Sequence, residues 1–324
     1  MTTDFPATEF IDSGEIRMAV HELGAGPPVI LLHGFPELAF SWRHQLPALA
    51  AAGYRAIAPD MRGYGGTDKP GQVADYTVQK LIGDVIGLMD ALKLARALIV
   101  GHDWGALVGW QMCLLAPERM AGYVALNIPF FKRPPINPVT LMRLRFGKKF
   151  YIVNFQDSDE ADRRFAEDPR RFIDMLMRIR RIDRQVPGPK RSKRRPLSLL
   201  EMLDSEEPGG EPLLTESELD YYARAFSAGG FTGPINWYRN FKHNWKSTRG
   251  VAQKISVPTL FVGATNEIVV GRRQIEAMKP HVSDLEIHMI EDCGHWSQQE
   301  KPAEVNAVML DWMARRFPGD RMPG

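Results

Sequence analysis

Short apolar runs alternate with stretches of helical periodicity along the first 126 residues, and the same alternation returns after residue 257. Phe10 to Leu23 reads as two short strands around the turn residues Asp12-Ser13-Gly14. Val29-Ile30-Leu31-Leu32 is apolar at every position, as in a central parallel strand buried on both faces. A helix is expected from Leu38 to Ala52, ended by Gly53, followed by a strand from Tyr54 to Ala58. Val78, Leu81, Ile82, Val85, Leu88, Met89 and Leu92 recur at helical spacing and predict an amphipathic helix. Leu98-Ile99-Val100 reads as a strand, Leu107 to Ala116 as a helix and Tyr123 to Leu126 as a further strand. After the middle of the chain, Thr259 to Val262 and Leu285 to Ile290 read as strands, and Arg272 to Met278 and Pro302 to Arg316 as helices. Such alternation predicts an α/β fold whose mostly parallel central sheet is covered by helices on both faces.

From Pro129 to about Gly250 the pattern breaks into helical stretches rich in arginine, proline and aromatics, with no clear strand. The chain therefore divides into a first core segment (1–129), a helical cap (130–250) and a second core segment (251–324). An insertion at this point would sit over the carboxyl edge of the sheet, where ligands bind in such folds. The run Arg178 to Arg195 could be a patch for an anionic partner, but it lacks interleaved aromatics and reads better as a solvated loop.

Composition narrows the function classes. A formal net charge of +2 gives no global case for nucleic acid or an anionic membrane as partner. No apolar run approaches the roughly 18 residues of a membrane helix. The segment from Met1 to Phe10 lacks a basic region followed by an apolar core, so no signal peptide is expected. Cys113 and Cys293 form no close-spaced pattern, which favours a reducing, cytoplasmic setting with Cys113 buried in a helix.

The candidate chemistry centres on Gly101-His102-Asp103-Trp104-Gly105, between the apolar strand and the helix. This is the glycine–x–nucleophile–x–glycine layout of a nucleophile elbow, with aspartate where serine is usual. A carboxylate nucleophile forms an ester with the enzyme, which suits displacement at a saturated carbon rather than ordinary ester hydrolysis. Elbow enzymes place an acid and then a histidine later in the chain. His295 follows the Leu285 strand and precedes the closing helix, and Glu267 is the one carboxylate in the loop after the Thr259 strand. Asp103, Glu267 and His295 are therefore the candidate nucleophile, orienting acid and base, while His33, His102 and Asp60 are expected to be structural supports.

With these residues in place the chain resembles the epoxide hydrolases of the α/β-hydrolase fold, from about Phe10 to Trp312. The resemblance rests on His33-Gly34-Phe35-Pro36-Glu37, Ser41-Trp42-Arg43-His44-Gln45, the elbow, Asn236-Trp237-Tyr238-Arg239-Asn240 and Cys293-Gly294-His295-Trp296. It implies conversion of epoxides to vicinal diols with water, without cofactor or metal. It also implies two cap tyrosines on the epoxide oxygen, Tyr238 and Tyr151, and backbone N–H groups of Phe35 and Trp104 as an oxyanion hole. The implied pocket is formed by Phe35, Trp104, Phe155, Ile268 and Trp296. His295, taken as neutral, would activate the water that cleaves the Asp103 ester. Two positions depart from the family: Ile152 stands where glutamine is frequent, and Glu267 where aspartate is common. Oligomeric state stays open, a homodimer being one arrangement.

Two other readings compete. A haloalkane dehalogenase would share the fold, the aspartate and a tryptophan beside it, but commonly has a polar residue at the position of Phe35; a fluoroacetate dehalogenase typically has arginine after the nucleophile. A binding protein of the same fold that has lost turnover is the alternative from another class, and an intact Asp103, Glu267 and His295 argue against it.

Overall fold

The computed structural model describes residues 5–180 and 197–317. The first core segment contains β1 (Thr8–Asp12), β2 (Arg17–Leu23), β3 (Pro28–Leu32), α1 (Gln45–Ala51), β4 (Arg55–Pro59), α2 (Val78–Ala91), β5 (Ala97–His102), α3 (Trp104–Leu115) and β6 (Met120–Leu126). Over these lie α4 (Pro138–Phe146), α5 (Tyr151–Asp157), α6 (Glu160–Glu167), α7 (Pro169–Leu176), β7 (Arg178–Ile179), α8 (Leu199–Leu203), β8 (Glu211–Pro212), α9 (Glu216–Gly229), α10 (Thr232–Arg239) and α11 (Phe241–Ser247). The chain then returns through β9 (Thr259–Ala264), α12 (Arg272–Met278), β10 (Leu285–Ile290), α13 (Ser297–Glu300) and α14 (Pro302–Arg316).

Eight strands form one sheet in the order β1-β2-β4-β3-β5-β6-β9-β10. β2 runs antiparallel to both β1 and β4, and every pairing from β4 to β10 is parallel. The all-apolar β3 illustrates why. Val29 and Leu31 pack on one face with Leu46 and Leu49 of α1 and with Met309 and Trp312 of α14. Ile30 and Leu32 pack on the other with Val85 and Leu88 of α2 and Val108 of α3. Successive strand residues point to opposite faces, so a strand covered on both sides must be apolar throughout. Among the described residues no helix is long and apolar enough to cross a membrane.

Three elements differ from expectation. The helix expected over Leu38–Ala52 is broken into a 3-10 turn, Ala39–Trp42, and α1. Pro47 accounts for the break: it has no N–H to offer the carbonyl of Arg43, but fits the first turn of a helix starting at Gln45. The elbow helix starts at Trp104, immediately after Asp103, rather than at Leu107. The cap is not free of strands, since Arg178–Ile179 pairs antiparallel with Glu211–Pro212. Of the basic run, Arg178 to Arg180 is described; residues 181–195 lie outside the described residues.

Candidate active site

Asp103 sits between β5 and α3 with φ 50° and ψ −115°, a conformation that L residues rarely adopt. The flanking glycines make this turn sterically possible. A Cβ on Gly101 would lie 2.5 Å from the Gly105 carbonyl oxygen, and one on Gly105 would lie 1.9 Å from that of Leu32. The carboxylate is turned onto the loop after β3, where the Phe35 N–H donates to its Oδ1 at 2.9 Å. A Cβ on Gly34 would stand 2.4 Å from the Asp103 Cβ, so this approach also requires glycine. Trp104 opens α3, and first-turn N–H groups have no acceptor within their own helix.

His295 follows β10 and is brought between two carboxylates. Its Nδ1 lies 2.9 Å from Glu267 Oε2, and its Nε2 lies 3.6 Å from Asp103 Oδ2. Burial opposes a charge on His295, but the Glu267 charge and the contacts with both carboxylates outweigh it and raise its pKa well above 6.5. The pair of carboxylates thus favours the imidazolium form while Asp103 is ionised. Burial likewise pushes Asp103 up, yet His295, the His102 charge and the Phe35 N–H hold it below the ordinary aspartate value. Glu267 is lowered to about 2: burial acts upward, and His295, the Val269 N–H and Asn127 act downward more strongly.

Two supports were not singled out in the sequence. Asn127, at the end of β6, donates from Nδ2 to Glu267 Oε2 at 2.8 Å and to the Gly294 carbonyl at 3.0 Å, and its Oδ1 accepts from Ser297 Oγ at 2.5 Å. It thereby ties the acid to the histidine loop. A polar residue closing an apolar strand at the sheet's carboxyl edge is the signal that marks it. Glu37, fully buried, accepts from the Gly34 N–H, Gln298 and Gln299, and faces His102 Nδ1 at 2.7 Å. The other ring nitrogen of His102 meets the His295 carbonyl at 2.7 Å. His33 accepts from the Met61 N–H at 2.9 Å, and Asp60 accepts from the Ala39 and Gly66 N–H groups at 2.9 and 3.0 Å. His33, His102 and Asp60 thus brace loops.

The cap supplies the roof. Tyr238 is carried by α10, which Trp237 anchors by donating from Nε1 to the Arg62 carbonyl at 3.1 Å. Arg62 is itself held by the buried Asp84. Tyr151 begins α5, and its N–H donates to the Leu197 carbonyl at 3.0 Å. The two phenol rings stand 5.6 Å apart. Burial and the Asp103 charge raise both phenols above the ordinary tyrosine value, and the neighbouring Tyr151 and Tyr64 add to the effect on Tyr238. Both therefore keep their protons and can donate.

One cavity is lined by Asp103, His295, Tyr151 and Tyr238 together with Phe35, Ile268 and Trp296. Trp104 and Phe155, expected in the lining, stand behind it instead. Their rings pack edge-on against Tyr238, with centroids 5.0 and 5.2 Å away, and so help fix the phenol. Leu176, Arg178, Arg180, Leu197, Leu199 and Val269 complete much of the wall. Among the described residues no group of three His, Cys, Asp or Glu side chains is placed to hold a metal ion.

Comparison with known proteins agrees with this architecture. The model of the alpha/beta hydrolase fold family matches residues 27–302. Epoxide hydrolase A of Mycobacterium tuberculosis is 41% identical over 319 residues, covering 95% of this chain and 97% of that protein. Bifunctional epoxide hydrolase 2 of Sus scrofa is 36% identical over 307 residues; the match covers 92% of this chain but 53% of that longer protein. The crystal structure of epoxide hydrolase A from Mycobacterium thermoresistibile matches with a TM-score of 0.86 at 36% identity, covering 95% of this chain and 98% of that one. An epoxide hydrolase structure from Vigna radiata gives a TM-score of 0.86 at 35% identity, covering 97% and 99%. The chain belongs to the epoxide hydrolases of the α/β-hydrolase fold.

Proposed function

We propose that this protein opens epoxides to vicinal diols in two steps, through an ester on Asp103. The observation that carries the reading is one cavity lined by a carboxylate and by two phenols that keep their protons. An Asp103 oxygen attacks a ring carbon. The carbon–oxygen bond breaks toward the ring oxygen, which gains negative charge and is met by Tyr151 and Tyr238. Esterification removes the Asp103 charge that helps hold the proton on His295, so the imidazolium becomes acidic as the alkoxide becomes basic. A proton passed from His295 by way of a phenol leaves a hydroxyl on the product and a neutral histidine.

Neutral His295, oriented by Glu267, then takes a proton from water. The hydroxide adds to the ester carbonyl carbon, and the N–H groups of Phe35 and Trp104 receive the oxyanion. Collapse releases the diol and returns Asp103 as a carboxylate beside an imidazolium, so one water is consumed and no proton is left over. The free, buried thiols Cys113 and Cys293 support a reducing, cytoplasmic setting. A single turnover in heavy-oxygen water tests the route. The first diol should be unlabelled and the label should enter the peptide containing Asp103. Labelled diol in that turnover would mean direct attack by water.

A further inference from the structure

Arg178 and Arg180, the described arginines of the basic run, are half-buried rather than fully solvated. Arg178 and Arg180 lie two positions apart along the ribbon at β7, and residues at that spacing share a face. Both line the cavity that holds Asp103 and His295. Arg178 is paired with Asp174 at 2.7 Å and donates to the Gly210 carbonyl at 3.1 Å, but among the described residues its buried Nε has no hydrogen-bond partner. Arg180 is half-buried. Among the described residues it reaches the Met175 carbonyl at 3.3 Å and the Met202 sulfur at 3.8 Å, and no carboxylate.

Beside Asp103 the charges are already matched, since the Asp103 and Glu267 carboxylates flank His295. The wall nearby includes Leu176, Leu197 and Leu199. A cation partly withdrawn from water, with only neutral acceptors, is an arrangement that an incoming anion improves. A guanidinium offers a fork of donors matched to a carboxylate. Burial and the charge of Arg178 also push the Arg180 guanidinium below its ordinary pKa, consistent with a shortage of counter-charge.

We propose that Arg180, backed by Arg178, forms an anion-holding subsite that selects epoxides carrying a carboxylate on the arm pointing away from Asp103. This rests on the reading of the cavity as an epoxide site. The subsite also orients the substrate: repulsion by Asp103 and attraction by Arg180 favour the same end for the carboxylate, which fixes the ring carbon presented to the nucleophile.

The test is a matched series of epoxides that end in a carboxylate or in its primary amide, over several spacer lengths. For the favoured spacer the wild type should show a kcat/KM for the acid about tenfold above that for the amide, the scale of a hydrogen bond to a charged group. The difference should lie mainly in KM and shrink as salt rises. In Arg180→Gln the acid-to-amide ratio should fall toward one and the acid should lose regioselectivity; Arg180→Lys should retain part of both. Circular dichroism checks that the variants are folded. A wild-type ratio of one or less at every spacer length, or a ratio that Arg180→Gln does not change, overturns the subsite. If neither acid nor amide is opened, the epoxide reading itself fails. Calorimetric binding of the corresponding diol acid and diol amide to the wild type and Arg180→Gln then decides the subsite without turnover, equal binding of the two overturning it.

Discussion

The Nε2 of His295 lies 3.6 Å from Oδ2 of Asp103, while its Nδ1 is held at 2.9 Å by Glu267. Two carboxylates thus share one imidazolium, and the proposed route consumes only Asp103 in its first step. The proton affinity of His295 should therefore depend on the state of Asp103. In an NMR titration the wild-type His295 should titrate well above 6.5, and Asp103→Asn should move it down. An unchanged titration in Asp103→Asn would remove the switch from the mechanism.

Replacing the base should separate the two steps. Alkylation needs a carboxylate and the phenols, whereas ester cleavage needs a proton acceptor. His295→Gln should react once with an epoxide and stall. Intact-protein mass spectrometry should show a gain of one substrate, localised to Asp103. Absence of the adduct with an epoxide that the wild type turns over would count against His295 as base or against a covalent route.

Tyr238→Phe removes a donor whose hydrogen bond strengthens as charge develops on the ring oxygen. Loss of a comparable oxyanion donor costs roughly a hundredfold in rate, so single-turnover alkylation should slow by that order while substrate binding changes less. Combining it with Tyr151→Phe should nearly abolish ring opening. Near-normal alkylation in the double variant would refute the assignment of the pair.

The contact between the oxyanion loop and the nucleophile leaves no room for a methyl group. In Gly34→Ala the new Cβ would fall 2.4 Å from the Asp103 Cβ and 2.6 Å from its Oδ1. Alkylation should drop steeply in a protein that still folds, because the clash bears on the reacting carboxylate. Circular dichroism and burst-phase ester formation measured together check this; full ester formation would contradict it.

The depressed Glu267 has a consequence for stability. Its native pKa of about 2 lies below its ordinary value of 4.5, so its contribution is present above pH 4.5 and is lost as pH falls toward 2. His295 stays protonated throughout that window. The stability gap between wild type and Glu267→Gln, measured by urea unfolding, should therefore narrow as pH drops through it. A gap independent of pH would mean that Glu267 is not held as a carboxylate by His295.

Much of the fold was legible because local pattern and tertiary environment agree. β3 is apolar at Val29 to Leu32 because helices cover both of its faces, and Arg272–Met278 and Pro302–Arg316 keep the bounds expected of them. Gly101 and Gly105 betray the elbow because no side chain fits either position. The break before α1 was less legible, since Pro47 is compatible with a helix but not with one extending unbroken past it. The β7–β8 pair has two residues on each side, too few for any alternation to appear. Asn127 and Glu37 act through partners distant in the chain, and local periodicity carries no trace of such convergence.

Tyr151 and Tyr238 hang from the stretch inserted between β6 and β9, whereas Asp103, Glu267 and His295 stand at the ends of sheet strands. The proposed route thereby places electrophilic activation and ester cleavage on separable lengths of polypeptide. Exchange of the insert can change which strained ether is gripped, and how it is turned, while the acyl-transfer half keeps its footing in the sheet. Stripped of the insert, the scaffold would retain an esterase's skeleton with nothing to pull open a three-membered ring.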